Sequence, residues 1–369
     1  MNPQTLPSYM QVEQHIVALL SKGNFNFGDR LPTEHKLMQM FSVSRTTIRR
    51  ALQLIEAQGI VSRNQGSGTF YAVKDTLRKD TPSTRTLGLI NFFFMDYIYV
   101  EIIRGIEEEI ERAGYSLLIA NSNRSEERQF EAIRHLIDQK VSGLIIEPKR
   151  NLTMTESDPL VRLFSNTDIP VVTTHWGIGV KRFSTVTLDD QYAGKLAGDY
   201  LIGMGHERIA YIYKKNVQAS YDRMEGLKNA LEAAGLTLDQ RYVFSYTDEE
   251  EAEDVHQGYV QTLRLYASCD PAPTAIFYFN DNIAIQGYRA FAQLKLRVPE
   301  DVSVIGFDDY HISSLVVPPL TTFEHPKYDL GRWTAKILID EIEYKATALP
   351  MKLLFEPRLI ERSSVRVLK

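Results

Sequence analysis

Cysteine is almost absent from this sequence. Cys269 is the single cysteine in 369 residues, so the chain cannot form an internal disulfide. No stretch approaches the roughly 18 uninterrupted apolar residues that a membrane-spanning helix needs. The first residues, MNPQTLPSYMQVEQH, also lack the basic segment and apolar run of a secretory signal. We therefore expect a cytoplasmic protein without a membrane role, in which Cys269 is structural.

The usual signatures of catalysis and of cofactor binding are missing as well. The sequence has no P-loop and no glycine-rich dinucleotide turn, and its eight histidines form no cluster with metal-ligand spacing. The short run Gly66-Ser67-Gly68 continues into β-like residues rather than into a helix, which argues against a nucleotide loop. We expect no enzymatic activity, no cofactor and no metal.

Acidic residues are scarce at the start of the chain. The whole sequence has a net charge of −5, yet residues 1–86 hold 11 Lys and Arg against 6 Asp and Glu. At about 150 residues per domain, the length predicts two or three units. The first unit is thus basic and the remainder acidic, which indicates that only the first meets a polyanion.

The stretch SRTTIRRALQLI, residues 44–55, predicts a helix with two distinct faces. Its apolar residues recur at i, i+3, i+4 and i+7 from Ile48 to Ile55, whereas Arg45 and Arg49 project together from another face. Ser44 is suited to cap the helix. Such a face can enter a groove of DNA, and the alternative is an ordinary solvated basic helix.

The surrounding residues predict the rest of a small domain. A helix is expected around residues 12–20, and a short second helix begins after Thr33. Beyond Gly59, two β-rich runs flank Gln65-Gly66-Ser67-Gly68 and predict a hairpin. Three helices and a hairpin predict a winged helix-turn-helix within residues 1–72.

The motifs GDRLPTE, FSVSRTTIRRAL and GSGTF resemble the GntR-type DNA-binding domain over about residues 8–72. This resemblance implies that Arg45 and Arg49, with Thr46 or Thr47, enter the major groove. It also implies that Glu34, Gln65 and Gly66 touch DNA. Arginine can pair with guanine and glutamate with cytosine, and a glycine backbone can approach the minor groove closely. Arg50 lies off this face by helical phase, so we expect a phosphate contact or solvation.

A polar linker at residues 73–86 precedes a longer region in which apolar, β-like runs alternate with helical patterns. Continuous apolar strands separated by helices are typical of a parallel sheet that is covered on both faces. The pattern recurs often enough for two sheets. The fold class is α/β, with a two-lobed, doubly wound domain at residues 87–369.

Ligands of open α/β sheets bind beyond the carboxyl ends of the strands. The polar and aromatic residues at those positions are Asp96, Tyr97, Glu147, Lys149, His175, Trp176, Lys214, Tyr246, Asn280, Asp281, Asp308 and Asp309. Carboxylates, amides, cations and aromatic rings around one cleft suit a polyhydroxylated ligand such as a sugar.

The same region resembles the LacI-type effector-binding domain. The resemblance rests on RGIEEEIERAGY, HLIDQKVSGLIIEP, GKLAGDYLIGMGHERIAYI, DRMEGLKNAL, FNDNIAIQGYRAF, VPEDVSVIGFDD and PPLTTFEHP. It implies that Arg223 and Asp308 clamp the ligand in a cleft lined by Asn280, Tyr246, Glu147 and His175. Asp281 is either a ligand contact or a helix cap.

Three crossings between the lobes are implied too, near Thr185, Thr322 and Leu353. The first lobe would comprise about residues 87–185 and 324–350, and the second about residues 186–323 and 351–369.

Together the two resemblances imply a homodimeric, cytoplasmic transcriptional repressor of operator DNA. The pairing of a GntR-type head with a LacI-type domain is similar to sugar-responsive repressors of Gram-positive bacteria, with L-arabinose as the expected effector. One alternative is a regulator of the same type that responds to another sugar or a nucleoside, as inducer or co-repressor. A sugar-converting enzyme with a DNA-binding head is the alternative of another class.

Overall fold

The computed structural model describes residues 9, 12–13, 15–16, 29–57, 60–64, 68–71, 85–91, 97–148, 158–165, 167, 169–175, 183–344 and 349–368. The chain divides into two compact units, Met1–Thr81 and Pro82–Lys369.

The first unit is a small winged helix-turn-helix. Its described elements are α1 (Glu34–Phe41), α2 (Arg45–Ala57), β1 (Val61–Asn64) and β2 (Gly68–Tyr71). Thr33 caps α1 by accepting a hydrogen bond from the Lys36 amide at 3.4 Å. Ser42 ends α1 in the left-handed conformation, and α2 begins three residues later.

The core of this unit is the predicted apolar stripe of α2. Ile48 and Ile55 are fully buried, together with Leu37 of α1 and Ile16 of the preceding helical residues. β1 and β2 pair as an antiparallel hairpin, from Val61 opposite Tyr71 to Asn64 opposite Gly68. The predicted winged fold is confirmed, whereas residues 17–20 of the predicted first helix lie outside the described residues.

The first lobe of the second unit is built on a six-stranded parallel sheet in the order β13-β7-β6-β5-β3-β4. Its strands are β3 (Thr86–Asn91), β4 (Ser116–Asn121), β5 (Gly143–Ile146), β6 (Val171–Thr174), β7 (Ser184–Leu188) and β13 (Lys352–Phe355). Its helices are α3 (Tyr99–Arg112), α4 (Glu126–Asp138), α5 (Pro159–Ser165) and α11 (Lys327–Glu343). Every residue of the run GLII in β5 is buried, as expected for a central strand covered on both faces.

The second lobe is built on a four-stranded parallel sheet in the order β11-β10-β8-β9. Its strands are β8 (Ile209–Lys214), β9 (Val243–Tyr246), β10 (Ala275–Tyr278) and β11 (Ser303–Ile305). Its helices are α6 (Asp190–Gly203), α7 (Gln218–Ala233), α8 (Asp248–Glu253), α9 (Gln257–Ser268) and α10 (Asp281–Leu294). An antiparallel pair of strands, β12 (Thr322–Glu324) and β14 (Arg358–Ile360), completes the lobe.

Helices α6 and α7 approach each other at the level of their backbones. A Cβ atom on Gly194 would lie 1.9 Å from the carbonyl oxygen of Arg223, and one on Gly226 would lie 1.9 Å from that of Gln191. Only glycine allows this contact, which sets Arg223 of α7 against the start of α6.

Two of the implied crossings fall later in the chain than expected. Thr185 lies inside β7 and Leu353 inside β13, where both pair in the first sheet. The chain therefore leaves the first lobe after Leu188 and again after Phe355, because β13 and its neighbour β7 pair along their whole lengths. The implied crossing near Thr322 falls in β12, just before α11 returns to the first lobe.

Within the part of the chain that the structure describes, no helix has the length and apolar character to cross a membrane. In the same residues no group of three or more His, Cys, Asp or Glu side chains is arranged to hold a metal ion.

Candidate effector cleft and nucleic-acid interface

The carboxyl ends of the two sheets face each other across a cleft. Side chains from both lobes enclose a cavity with an empty volume of about 660 Å³, counted out to the open solvent. Seven of the predicted ligand residues line the cavity: Glu147, His175, Lys214, Arg223, Tyr246, Asn280 and Asp308.

Arg223 is the most firmly held cation of the cleft. Its Nε and Nη2 atoms both lie 2.7 Å from Oδ1 of Asp190, and its Nη1 donates to the Phe279 carbonyl at 2.7 Å. The guanidinium also stacks on Phe307, with Cζ 3.3 Å from the ring centroid. Burial disfavours the charged guanidinium, but Asp190, Tyr211 and Asp308 together outweigh this effect and raise the pKa of Arg223. Arg223 is therefore a charged donor fixed at the cavity wall.

Asp308 supplies a carboxylate to the same cavity. It adopts a φ of 100°, a conformation that costs a non-glycine residue free energy and that its neighbours must hold. His325 Nδ1 lies 3.1 Å from Oδ1, and the Tyr97 hydroxyl donates to Oδ2 from the first lobe. Burial opposes ionisation, but hydrogen bonding from His325 and the charges of Arg223 and Lys327 lower the pKa of Asp308 below its ordinary value.

His175 and Glu147 form the first-lobe wall. The ring of His175 packs edge-on against the rings of Tyr99 and His325, and the Tyr99 hydroxyl donates to Glu147 Oε1. Burial, followed by the proximity of His325, lowers the pKa of His175 to about 3. The imidazole is thus neutral near pH 7 and can serve a ligand as a hydrogen-bonding group without charge.

Lys214 adds little uncompensated positive charge to the cavity, although its position at the end of a strand suggests a cation there. Its Nζ lies 2.8 Å from Asp248 Oδ1 and 2.6 Å from Glu251 Oε2, so both carboxylates neutralise it. Asn280 caps α10 by accepting a hydrogen bond from the Ile283 amide at 3.0 Å. Its side-chain amide nitrogen can still donate to a ligand.

Asp281 does not line the cavity, so its assignment as a ligand contact is wrong. Its carboxylate accepts hydrogen bonds from the Thr322 hydroxyl at 2.6 Å, and from the Ser313 hydroxyl and the Tyr310 amide at 2.7 Å. Burial raises the pKa of Asp281 to about 7 against these hydrogen bonds. Asp281 instead fixes the loop that follows Asp308, and the helix cap is Asn280.

Tyr97 does not line the cavity; its ring packs at a tilt of 32° against Tyr310, with centroids 4.1 Å apart. Arg362 Nη2 donates a hydrogen bond to Asp309 Oδ1 at 2.6 Å. Lys149, Asp96 and Trp176 lie outside the described residues.

Several cavity residues were missed by sequence reasoning, namely Tyr99, Arg124, Phe279 and His325, together with Asp190 behind Arg223. His325 stands in the quoted motif PPLTTFEHP and Phe279 in FNDNIAIQGYRAF, so both could have been found by their position after a strand. Within the described residues, His325 Nε2 is buried without a hydrogen-bond partner. Nothing in the sequence around Arg124 or Asp190 indicates a role.

The candidate nucleic-acid interface is the exposed face of α2. Arg45 and Arg49 both reach the Glu34 carboxylate, through Nε at 3.0 and 3.1 Å. Burial opposes the ionisation of Glu34, but hydrogen bonds from both arginines lower its pKa. Glu34 therefore holds the two guanidinium groups side by side on one face.

The start of α2 is fixed by Ser44, whose hydroxyl lies 2.8 Å from the hydroxyls of both Thr46 and Thr47 and accepts from the Thr47 amide. Arg50 lies apart, with its guanidinium 4.3 Å from the centroid of the Tyr9 ring. Gln65 and Gly66 lie outside the described residues.

One unit carries a basic helix of the recognition-helix type, α2, and the other carries a polar cavity between two lobes. Together they define a ligand-responsive regulator of transcription. The profile described as bacterial regulatory proteins, gntR family, matches residues 8–70, and that of the periplasmic binding protein-like domain matches residues 199–365. The chain therefore carries both domain types in the expected order.

Bacterial transcriptional repressors are similar to this chain over nearly its whole length. An arabinose metabolism transcriptional repressor from Geobacillus stearothermophilus is 32% identical over 369 residues, which covers 99% of this chain and 100% of the relative. A transcriptional repressor PurR from Haemophilus influenzae strain PittEE is 31% identical, covering 91% and 99% of the two chains.

Two solved structures have a similar fold. A complex of the regulator CelR with cellobiose has a TM-score of 0.67 and 26% identity, covering 87% of this chain and 91% of its own. A LacI family regulator from Enterococcus faecium with bound ribose has a TM-score of 0.66 and 26% identity, covering 77% and 100%.

The chain thus belongs to the family of bacterial transcriptional repressors that join a GntR-type winged helix to a LacI-type, periplasmic-binding-protein-like domain. The full-length relatives are regulators of transcription, so the alternative of a sugar-converting enzyme is wrong.

Proposed function

We propose that the protein is a homodimeric repressor that binds a pseudo-palindromic operator and releases it when L-arabinose occupies the cleft. The observation that carries this proposal is the likeness to an arabinose metabolism repressor over essentially the whole of both chains. A protein with this task works in the cytoplasm. The polar segment that precedes β3 would join each head to its effector domain.

The chemistry of the cavity suits a neutral pentose. Arg223 donates, Asp308 and Glu147 accept, and Asn280, His175 and Tyr246 can do either. The buried Nε2 of His325 offers one more hydrogen bond to a hydroxyl group. Phe279 gives an aromatic face for the C–H side of a sugar ring. Ribose and nucleosides present similar hydroxyl groups, so the same residues must be tested with both.

Operator recognition is assigned to α2 and the hairpin. In this proposal Arg45, Arg49, Thr46 and Thr47 read bases in the major groove, with Glu34 beside them and Gln65 and Gly66 at the wing tip. Two heads in a dimer would contact two half-sites, which explains the expected symmetry of the operator.

The effector can act only through different affinities for two conformations. Closure of the lobes around the sugar bends the three connections between them and alters the spacing or the freedom of the two heads. A coupling of about 1–3 kcal/mol between sugar and operator would be typical.

The test uses the full-length protein, operator DNA and calorimetry with L-arabinose, D-ribose and adenosine, each with and without operator. Arg223→Ala and Asp308→Ala should keep operator affinity and lose the response to the sugar. Arg241→Ala removes an exposed ion pair with Asp239 in the same lobe and serves as the matched control. Normal release by both cavity variants would refute the assignment of the cleft, and tighter operator binding with sugar would make the sugar a co-repressor.

A further inference from the structure

Four charged side chains meet where the two lobes face each other. Lys214, Asp248 and Glu251 belong to the second lobe, and Arg124 reaches them from the loop between β4 and α4 of the first lobe. Arg124 Nη2 lies 3.0 Å from Glu251 Oε2, and Nη1 lies 3.5 Å from Asp248 Oδ1. An ion pair thus crosses the cleft beside the cavity, and both Arg124 and Glu251 also line that cavity.

The second-lobe side of this pair is built independently of the first lobe. A capping box formed by Thr247 and Glu250 fixes the start of α8, which carries both carboxylates. Lys214 lies between the carboxylates and has only 5% of its side chain exposed. One lysine against two carboxylates leaves a net negative charge among these three side chains, and Arg124 of the first lobe lies against both carboxylates.

The first-lobe side is ordered as well. Asn121 and Asn123 are linked by side-chain and backbone hydrogen bonds at 2.8 and 3.1 Å, and Ser125 caps α4 by accepting from the Arg128 amide. Asn123 and Arg124 both have positive φ values, 48° and 63°, so the turn presents Arg124 to the opposite lobe. The backbone of this turn therefore loses little conformational entropy when the pair forms.

Partial burial makes this ion pair stronger than an ordinary surface pair. The side chains of Arg124, Asp248 and Glu251 are only 22%, 24% and 19% exposed. A ligand in the cavity removes further water from the same side chains, and the attraction between the charges grows as the local dielectric falls.

We propose that Arg124 is a positioning residue for the effector response: its ion pairs with Glu251 and Asp248 hold the lobes closed over the bound ligand. The proposal rests on the proposed function only for the identity of the ligand. In the absence of ligand, the same pair sets the fraction of molecules whose cleft is closed, and this fraction scales the apparent affinity.

The test compares wild type with Arg124→Gln, which keeps the length and polarity of the side chain and removes its charge. Arg112→Gln is the matched control, because Arg112 forms an exposed ion pair with Glu109 within the first lobe. In calorimetry, Arg124→Gln should raise the Kd for L-arabinose about threefold to tenfold, as a smaller closed fraction requires. The Kd of wild type should rise with added salt, and that of Arg124→Gln should change much less.

Operator affinity without sugar should be unchanged in Arg112→Gln and no weaker in Arg124→Gln, since a smaller closed fraction favours the operator-binding form. Saturating sugar should still release the operator from Arg124→Gln. An unchanged Kd in Arg124→Gln, or an equal loss in Arg112→Gln, would overturn the proposal.

A second measurement needs no ligand. Hydrogen exchange of the amides of residues 247–254 should be faster in Arg124→Gln than in wild type and unchanged in Arg112→Gln. If wild type binds none of the sugars, the assigned effector is wrong and this measurement alone decides: equal exchange in Arg124→Gln and wild type refutes the role of Arg124.

Discussion

Asp190 binds Arg223 from outside the cavity. Two nitrogens of the guanidinium lie 2.7 Å from one carboxylate oxygen of Asp190, and both side chains are more than nine-tenths buried. Asp190 is the first residue of α6, which contacts α7 directly through Gly194 and Gly226. The position of the main cationic donor therefore depends on a residue that touches no ligand.

Asp190→Asn is expected to weaken effector binding about tenfold, because the amide keeps one hydrogen bond but leaves a buried charge uncompensated. Operator binding without effector should be retained. Calorimetry and gel-shift titration measure the two quantities. Asp199→Asn, on the exposed side of the same helix, removes an ion pair with Lys195 and should change neither. Full effector affinity in Asp190→Asn would show that Arg223 is positioned by Phe279 and Phe307 alone.

Glu34→Gln is expected to bind non-specific DNA several-fold more tightly than wild type does. The substitution removes the carboxylate that pairs with Arg45 and Arg49, so both cations become more available to phosphates. The affinity for scrambled DNA should then fall more steeply with salt concentration, while the preference for the operator decreases. Fluorescence anisotropy across a salt series measures both effects, and an unchanged salt slope would contradict this account.

Arg45→Ala and Arg49→Ala should each cost about 1–3 kcal/mol of operator binding and relax base preference, if these residues read guanine. Arg50→Ala is the control on the same helix, since Arg50 stacks on Tyr9. It should retain the preference for operator over scrambled DNA. Titration of the two DNAs separates the roles: an equal loss on both would make Arg45 and Arg49 phosphate contacts.

Buried His175 should make stability depend on pH. Its pKa is about 3 in the folded protein and about 6.5 when unfolded. The unfolded state therefore binds more protons between these values, and stability falls as the pH decreases through this window. Between about pH 7 and about pH 5, this group should cost roughly 1–2 kcal/mol.

His175→Asn removes the titrating ring and tolerates the positive φ of 66° at this position. Urea midpoints of wild type and His175→Asn at both pH values give the comparison. The loss of stability at acidic pH should be smaller in the variant, and an equal loss would assign the pH dependence to other groups.

Local patterns were sufficient to predict the head. The stripe from Ile48 to Ile55, the cap at Thr33 and the glycines of the hairpin are short-range signals, and each corresponds to an observed element. The contact of Glu34 with both arginines was not predictable from spacing alone, because it depends on the angle between α1 and α2.

The cleft was predicted in outline because polar residues at strand ends converge in any parallel sheet. Asp281 was assigned wrongly for the same reason: it follows β10 as a ligand residue would, yet its side chain turns toward Thr322 and Ser313. Asp190 and Arg124 could not be found at all, since their roles arise from contacts between elements that are distant in the sequence.

The return of the chain to the first lobe has a consequence for its synthesis. α11 and β13 complete the first lobe, although most of that lobe precedes residue 189. On the ribosome, Ile102 and Ile106 of α3 can pack on the early strands of the sheet, but the side of α3 that contacts α11 stays uncovered until α11 has been made. The second lobe can assemble much of its core earlier and then lacks only β14 and the end of the chain, so the lobe that is made first must wait for a helix that follows most of the second lobe.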